Sequence, residues 1–279
     1  MNSKLKAYIQ LSRPINVLIT FISIPIACWI TGGDAIDWLK YFFASLTGAL
    51  VTAGANAIND SFDIEIDRIN RPERPLPKGM LTQQDAELMW LTTSVTAIAV
   101  NILFNFSALM IVVFAVVLLY YYSSTLKRTV ILGNMVVGIM TGMAFIYGGV
   151  VAGTIDRAIM PALFAFLSNF SREIIKDIED IEGDKKGNAV TLPIKYGIKT
   201  ALIITTILLV LLIYSTIIAV KSEIYKQSFL YIVFLADLLI IVSIMMMWQN
   251  QSPKQMRKVS NNLKLVMLIG LLSIIAGSI

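Results

Sequence analysis

The sequence predicts an all-helical protein that crosses a membrane nine times. Hydrophobic residues make up 57% of its 279 positions, charged residues make up 15%, and the mean hydropathy is +0.75. This composition is too apolar for an ordinary soluble domain, and the apolar residues form runs long enough to span a bilayer as helices. We count nine such runs, at residues 16–31, 41–58, 87–105, 107–123, 129–152, 158–175, 201–220, 228–248 and 262–279.

Positive charge alternates from one side of the predicted bundle to the other. Of the 23 Lys and Arg residues, nineteen fall on the side of the amino terminus, and the other side has only Lys40, Arg157, Lys221 and Lys226. Cytoplasmic loops retain positive charge, so we expect a multi-pass protein of the cell membrane with its amino terminus in the cytoplasm. The net charge of +5 then describes a rim that attracts membrane lipid headgroups, and no nucleic-acid partner is indicated.

Most segments between the runs are short. Residues 3–13, ahead of the first run, are polar and basic and are expected to form a short interfacial helix. The third and fourth runs meet at residues 105–107, so the two helices should be antiparallel neighbours. The single cysteine, Cys28, falls in the first run, which excludes a disulfide and a cysteine-rich metal site.

One acidic spacing occurs twice. Asp60-x2-Asp63-x3-Asp67 closes the second run, and Asp177-x2-Asp180-x3-Asp184 follows 117 residues later at the end of the sixth run. Each copy is followed by a polar loop. Residues 41–86 and 158–200 are therefore predicted to be two related units within a single domain that covers residues 1–279.

The acidic repeats predict a magnesium site. Helical spacing places each set of aspartates along one face, and carboxylates this dense would repel one another without a cation among them. The chain has no histidine, and oxygen ligands alone indicate Mg²⁺. The alternative is two solvated helix ends with charged faces. The predicted metal ligands, whose six aspartates are also the predicted catalytic residues, are Asn59, Asp60, Asp63, Asp67, Asp177, Asp180 and Asp184.

The loop after the first motif carries cations between prolines. Residues 70–79 contain three prolines together with Arg71, Arg74 and Lys78. Guanidinium groups bind phosphate oxygens bidentately, so this loop is predicted to contact a diphosphate. Lys127 and Arg128 are second candidates, with interfacial anchoring as the alternative. The full set predicted to bind diphosphate or substrate is Asn16, Asn59, Arg68, Arg71, Arg74, Tyr122, Lys127, Arg128 and Lys176.

These motifs resemble those of the UbiA-type intramembrane prenyltransferases. The resemblance rests on Asn59-Asp60-x2-Asp63-x3-Asp67, on the loop from Asn70 to Pro75, and on the second motif, residues 177–184. It extends to Arg13-Pro14-x-Asn16, Leu126-Lys127-Arg128, Gly133-Asn134 and Thr191-Leu192-Pro193. It implies nine helices around a central cavity, in which the two Asp motifs bind Mg²⁺ and the diphosphate of an isoprenoid donor.

Within that family, residues 172–184 are most similar to the branch that makes ether-linked lipids of archaeal type. This similarity implies transfer of a geranylgeranyl group from geranylgeranyl diphosphate to the free hydroxyl of geranylgeranylglyceryl phosphate, which gives digeranylgeranylglyceryl phosphate. An aromatic acid or quinone precursor is the alternative acceptor. The acceptor, the preferred chain length, the general base and the oligomeric state do not follow from residue spacing.

An ion or lipid transporter is an alternative of a different class. Eleven of the eighteen acidic residues lie in 60–73 and 173–184, at the cytoplasmic ends of the runs, whereas a transporter site is expected near the bilayer midplane. Asp237 lies inside the eighth run, away from both motifs. It is either a functional intramembrane acid or a hydrogen-bonded residue that packs against a neighbouring helix, and we leave it outside the site.

Overall fold

The computed structural model describes residues 3–32, 37–186 and 189–278, apart from the side chains of Asn70 and Lys186. Every regular element in these ranges is a helix. The α-helices are α1 Ser3–Ser12, α2 Pro14–Gly32, α3 Trp38–Phe62, α4 Ile64–Asn70, α5 Gln83–Ile102, α6 Phe106–Ser124, α7 Leu132–Ala152, α8 Asp156–Glu179, α9 Ile181–Lys186, α10 Leu192–Tyr196, α11 Ile198–Lys221, α12 Gln227–Gln249 and α13 Pro253–Ser278.

Eight helices in the described ranges are long and apolar enough to cross a membrane. They are α2, α3, α6, α7, α8, α11, α12 and α13, and each coincides with a predicted run. The remaining run, 87–105, falls on α5, whose first turns carry Asp85 and Glu87. The all-helical membrane fold is thus confirmed, whereas the count of nine spans and the cytoplasmic amino terminus stay predictions.

Polar caps fix where several long helices begin. The Asp37 side chain accepts a hydrogen bond from the backbone N–H of Lys40 at the start of α3. Asn105 caps α6 in the same way through Ala108, as expected for a short connection after α5. At α5, Thr82 and Asp85 form a reciprocal capping box. These caps satisfy backbone donors that the first helical turn leaves unpaired.

The chain forms two compact units and passes between them three times, once inside α7. The first contains Met1–Leu126 and Tyr147–Ile155, and the second contains Lys127–Ile146 and Asp156–Ile279. In the first unit α3 packs against α2, α5 and α6, and in the second α8 packs against α11 and α13. The description of the chain as one domain with related units at 41–86 and 158–200 stays a prediction.

Apolar contacts hold α1 and the loop after α4 in the first unit. Ala7 and Leu11 of α1 belong to one buried cluster with Ala57 of α3, and the loop contributes Leu76 and Leu81. A short helix is therefore present where the basic amino-terminal segment predicted one. The packing places α1 beside the acidic end of α3.

The first unit also contains a buried polar network. The Tyr147 hydroxyl donates to the Asn101 side-chain oxygen at 2.9 Å, and the Asn101 amide donates to Thr47 at 2.9 Å. All three residues are buried, and the hydrogen bonds satisfy groups that would otherwise be costly in an apolar setting. Nearby in α2, Cys28 has no exposed surface.

Candidate active site

Both acidic motifs coincide with a break between two helices. Asp63 lies between α3 and α4 with φ −100° and ψ 4°, and Asp180 lies between α8 and α9. After the break, the backbone N–H of Asp67 donates to the backbone carbonyl of Asp63 at 2.8 Å, and the backbone N–H of Asp184 donates to the backbone carbonyl of Asp180 at 2.9 Å. The continuous helix face expected for each motif is interrupted at Asp63, whose backbone N–H donates to the Asp60 carbonyl at 3.2 Å, three residues back. At Asp180 the interruption is slight, because its backbone N–H keeps the α-helical partner four residues back, the Lys176 carbonyl, at 2.9 Å.

Two arginines neutralise the buried part of the first motif. Asp60 is 3% exposed and Asp67 is 5% exposed. Arg74 donates from Nη1 to Asp67 Oδ2 at 2.5 Å and to Asp60 Oδ1 at 3.2 Å. Arg13 Nη2 donates to the same oxygen of Asp60. The structure thus brings together Asp60, Asp67 and the predicted Arg74, and it adds Arg13, which was not among the predicted site residues.

Asn59 and Asp63 form a second contact in this motif. The Asn59 amide donates to Asp63 Oδ2 at 3.1 Å, one helical turn away. Burial raises the pKa of the Asp67 carboxyl, and the charges of Asp60 and Asp63 act in the same direction, while the Arg74 guanidinium opposes them. The motif therefore combines carboxylates that favour a cation with cations that are already in place.

The second motif is held through α7. The Asn134 amide donates to Asp177 Oδ2 at 2.7 Å, and Asp177 is half-buried. Asp180 is exposed. The pKa of Asp184 is raised mainly because this carboxyl is partly buried, and the nearby charge of Asp180 acts in the same direction. Lys176 pairs with Glu173 at 2.8 Å. Asn134 was not among the predicted site residues, although the resemblance had included Gly133-Asn134.

The other predicted binding residues lie outside the carboxylate contacts described above. Arg68 is exposed and pairs with Glu65 at 2.8 Å, and Arg71 is exposed. Asn16 is exposed in the first turn of α2. The remaining three are in or just after α6, namely half-buried Tyr122, half-buried Lys127 and exposed Arg128. Their binding roles stay predictions.

The donor atoms of both motifs suit Mg²⁺. Carboxylate and amide oxygens are hard ligands, and Asn59, Asp60, Asp63, Asp67, Asp177, Asp180 and Asp184 offer only these. Within the described ranges, no group of three or more His, Cys, Asp or Glu side chains is arranged to hold an ion. In the first motif, Arg74 bridges the two buried carboxylates. The residues fit the metal by ligand type, and the guanidinium groups of Arg13 and Arg74 balance the negative charge of the buried carboxylates.

Asp237 has a partner in a neighbouring helix. The hydroxyl of Thr216 in α11 donates to Asp237 Oδ2 in α12 at 2.9 Å. This contact matches the interpretation of Asp237 as a hydrogen-bonded residue that packs against a neighbouring helix.

Comparison with known proteins decides the family. The model of the UbiA prenyltransferase family matches residues 17–269, which is most of the chain. The chain belongs to the UbiA prenyltransferase family. It is therefore a prenyltransferase and a multi-pass membrane protein, and membership of this family sets aside the transporter hypothesis.

Relatives of this UbiA family member match it from end to end. The digeranylgeranylglyceryl phosphate synthase of Methanosphaera stadtmanae is 35% identical over 272 residues, covering 98% of this chain and 99% of the relative. A solved structure concerned with digeranylgeranylglyceryl phosphate synthase in membranes is 35% identical, with a TM-score of 0.90 and coverage of 99% of this chain and 98% of the other. A UbiA homologue from Archaeoglobus fulgidus bound to GPP and Mg²⁺ has the same fold, with a TM-score of 0.69, 20% identity and coverage of 96% and 99%.

Proposed function

We propose that this UbiA family member transfers a geranylgeranyl group from geranylgeranyl diphosphate to the free hydroxyl of geranylgeranylglyceryl phosphate. The product, digeranylgeranylglyceryl phosphate, belongs to the synthesis of ether lipids of archaeal type. The observation that carries the proposal is the end-to-end likeness, at 35% identity, to digeranylgeranylglyceryl phosphate synthases. Prenyl transfer to an aromatic acid or quinone precursor is the alternative that the experiment below tests.

The proposed cofactor is Mg²⁺, held by Asn59 and by the aspartates of both motifs. Ligand chemistry supports this, and the Archaeoglobus fulgidus homologue is itself bound to GPP and Mg²⁺. A bound magnesium ion would neutralise charge on the departing diphosphate.

The basic residues are proposed to bind the diphosphate. Arg74 already lies against two buried carboxylates, where its guanidinium can also donate to phosphate oxygens. Arg71 and Arg68 are exposed on the same segment of chain, and Lys127 and Arg128 form a second basic pair. We assign them, together with Asn16, Tyr122 and Lys176, to donor or acceptor contacts. Hydrogen bonds that strengthen as charge builds on the leaving group lower the barrier.

The reaction exchanges one carbon–oxygen bond for another. The allylic C–O bond of the donor breaks, and its electron pair leaves with the diphosphate. The acceptor hydroxyl oxygen then bonds to the allylic carbon and releases its proton. Water would trap the electron-poor carbon as an alcohol, so the reaction requires surroundings that exclude water. Apolar spans around the motifs supply them, which explains why the enzyme is built in a membrane.

We propose that the enzyme resides in the cell membrane with both acidic motifs on the cytoplasmic side. The support is the distribution of charge, because nineteen of 23 Lys and Arg residues share the predicted side of the motifs. Soluble isoprenoid diphosphates would then reach the motifs directly.

The test is transfer by the purified protein in detergent. Radiolabelled geranylgeranyl diphosphate and Mg²⁺ are supplied with geranylgeranylglyceryl phosphate in one reaction and with an aromatic acid in another, and the products are separated by chromatography. A doubly alkylated glycerol phosphate is expected. Label on the aromatic acid alone would overturn the acceptor but keep the donor, and no transfer to either would contradict the proposed reaction.

A further inference from the structure

Arg13 occupies an unfavourable backbone conformation at the edge of the first acidic motif. Its φ of 53° is left-handed, and it directly precedes Pro14, which further restricts its backbone. Neighbouring contacts hold it there. The Asn56 amide of α3 donates to the Ser12 carbonyl at 2.8 Å, and the backbone N–H of Asn16 donates to the Arg13 carbonyl at 2.9 Å. Strain of this kind persists where surrounding contacts over-determine a residue, and such residues cluster at functional sites.

From this strained backbone, the Arg13 guanidinium contacts the buried carboxylate of Asp60. The Asp60 side chain is 4% exposed, and Arg13 and Arg74 both donate to its Oδ1. Oδ2 lies outside these two contacts. Arg74 also neutralises Asp67. Two guanidinium charges therefore offset most of the charge of the three aspartates in this motif, and they do so where the local dielectric is low.

Such a motif attracts a divalent cation only weakly by itself. A magnesium ion that approaches Asp60 meets two fixed positive charges beside its ligand. A diphosphate changes this balance, because it gives Arg13 and Arg74 an anionic partner and provides further oxygens for the metal. Each ligand then strengthens the binding of the other, and by linkage the two enhancements must be equal.

We propose that Arg13 is a positioning residue for Asp60 which, together with Arg74, makes Mg²⁺ binding at the first acidic motif depend on diphosphate. This inference rests on the proposed function. It assigns a role to a residue outside the predicted site, and it couples the affinity of this motif for the metal to its affinity for the diphosphate.

The test is calorimetric titration of Mg²⁺ into the purified full-length protein, with and without inorganic diphosphate. The titrations use a background in which Asp177→Asn and Asp180→Asn silence the second motif, and they are corrected for the magnesium–diphosphate complex that forms in the buffer. Diphosphate should strongly tighten Mg²⁺ binding. Arg13→Gln should make Mg²⁺ alone bind about tenfold more tightly, because one nearby positive charge is gone, and the enhancement by diphosphate should shrink.

The sign of the change separates this role from a structural one. A residue that only supports the fold would weaken Mg²⁺ binding when replaced, or leave it unchanged. Arg13→Lys, which keeps the charge, should behave like the parent protein. Lys4→Gln is the matched control, since Lys4 is also an amino-terminal cation but pairs with Asp85 at 3.1 Å. Unchanged or weaker Mg²⁺ binding in folded Arg13→Gln would overturn the inference alone. No Mg²⁺ binding even with diphosphate, in the protein with both motifs intact, would overturn the proposed metal site as well.

Discussion

The middle aspartate of each motif lies at the junction of two helices. Asp63 and Asp180 occupy these positions. Replacing either with Asn keeps the side-chain volume but removes a charged oxygen ligand. We therefore expect Asp63→Asn and Asp180→Asn each to lower prenyl transfer by about a hundredfold or more, measured at saturating donor with radiolabelled product.

Asp156→Asn is the control for this pair. Asp156 is an exposed acid in the first turn of α8, at the opposite end of the helix from Asp177. It should leave transfer within twofold of the parent. If Asp63→Asn and Asp180→Asn are as active as the parent protein while the chain remains folded, the assignment of these aspartates as metal ligands is wrong.

Asn134 supports the second motif from a different helix. Its amide donates to Asp177 at 2.7 Å, which fixes the orientation of a predicted metal ligand. Groups that orient a ligand in this way typically change metal affinity or activity by about 10- to 100-fold when removed. Asn134→Ala should therefore weaken diphosphate-dependent Mg²⁺ binding by about tenfold, measured by calorimetry.

Asn169→Ala is the comparison for that measurement. Asn169 is a half-buried amide, whereas Asn134 is buried, and Asn169 donates to Thr141 at 2.5 Å outside both acidic motifs. Loss of metal affinity in Asn169→Ala as large as in Asn134→Ala would mean that packing, rather than the contact with Asp177, explains the effect.

At the scale of elements, α1 is anchored to the start of α5 through Asp85. The carboxylate accepts hydrogen bonds from the Thr82 backbone N–H at 2.9 Å and from the Tyr8 hydroxyl at 2.9 Å, and Lys4 pairs with it at 3.1 Å. These contacts, with the bond from the Thr82 N–H foremost, lower the pKa of Asp85 below its ordinary value of 3.8. The stabilisation is therefore complete above pH 3.8 and is lost only as the pH falls through the lowered pKa of the folded state.

We expect Asp85→Ala to lower the midpoint of thermal unfolding in detergent by a few degrees at neutral pH, because it removes one half of a capping box together with the contact to α1. Glu87→Ala, an exposed acid in the first turns of the same helix, should leave the midpoint unchanged. An equal shift in both variants would show that charge near the start of α5 matters, and not the specific hydrogen bonds of Asp85.

The helix breaks show which part of an element the sequence can predict. Hydropathy locates α3 and α8 because apolar periodicity persists along their length. The break at Asp63 or Asp180 leaves the spacing of carboxylates unchanged, so it cannot be seen in that spacing. The helix at residues 3–13 can be predicted because it depends on local sequence. Its contact with Asp85 joins residues more than seventy positions apart, so local sequence does not predict it.

At the scale of the whole molecule, the apolar runs of the sequence are enough to predict an all-helical membrane fold. Within the described residues, eight helices have the length and hydropathy of a span, and each coincides with a predicted run. The sequence motifs located the carboxylates but not their partners, since Arg13 and Asn134 reach the motifs only through tertiary packing. Both residues fall in segments that resemble the UbiA family, and that resemblance was the only signal that could have found them.

The complete burial of Cys28 leaves this chain without a reactive native thiol, which makes cysteine labelling a direct way to determine its orientation in the membrane. Because the only native thiol is inaccessible, a membrane-impermeant maleimide should not modify the parent protein. Cysteines introduced at exposed Lys78 and exposed Ser222 would then be the only reactive groups. On intact cells we expect labelling of Ser222→Cys and not of Lys78→Cys, with the pattern reversed in inverted vesicles. The opposite pattern would place the basic rim outside the cell, so one buried sulfur makes the topology of the enzyme directly measurable.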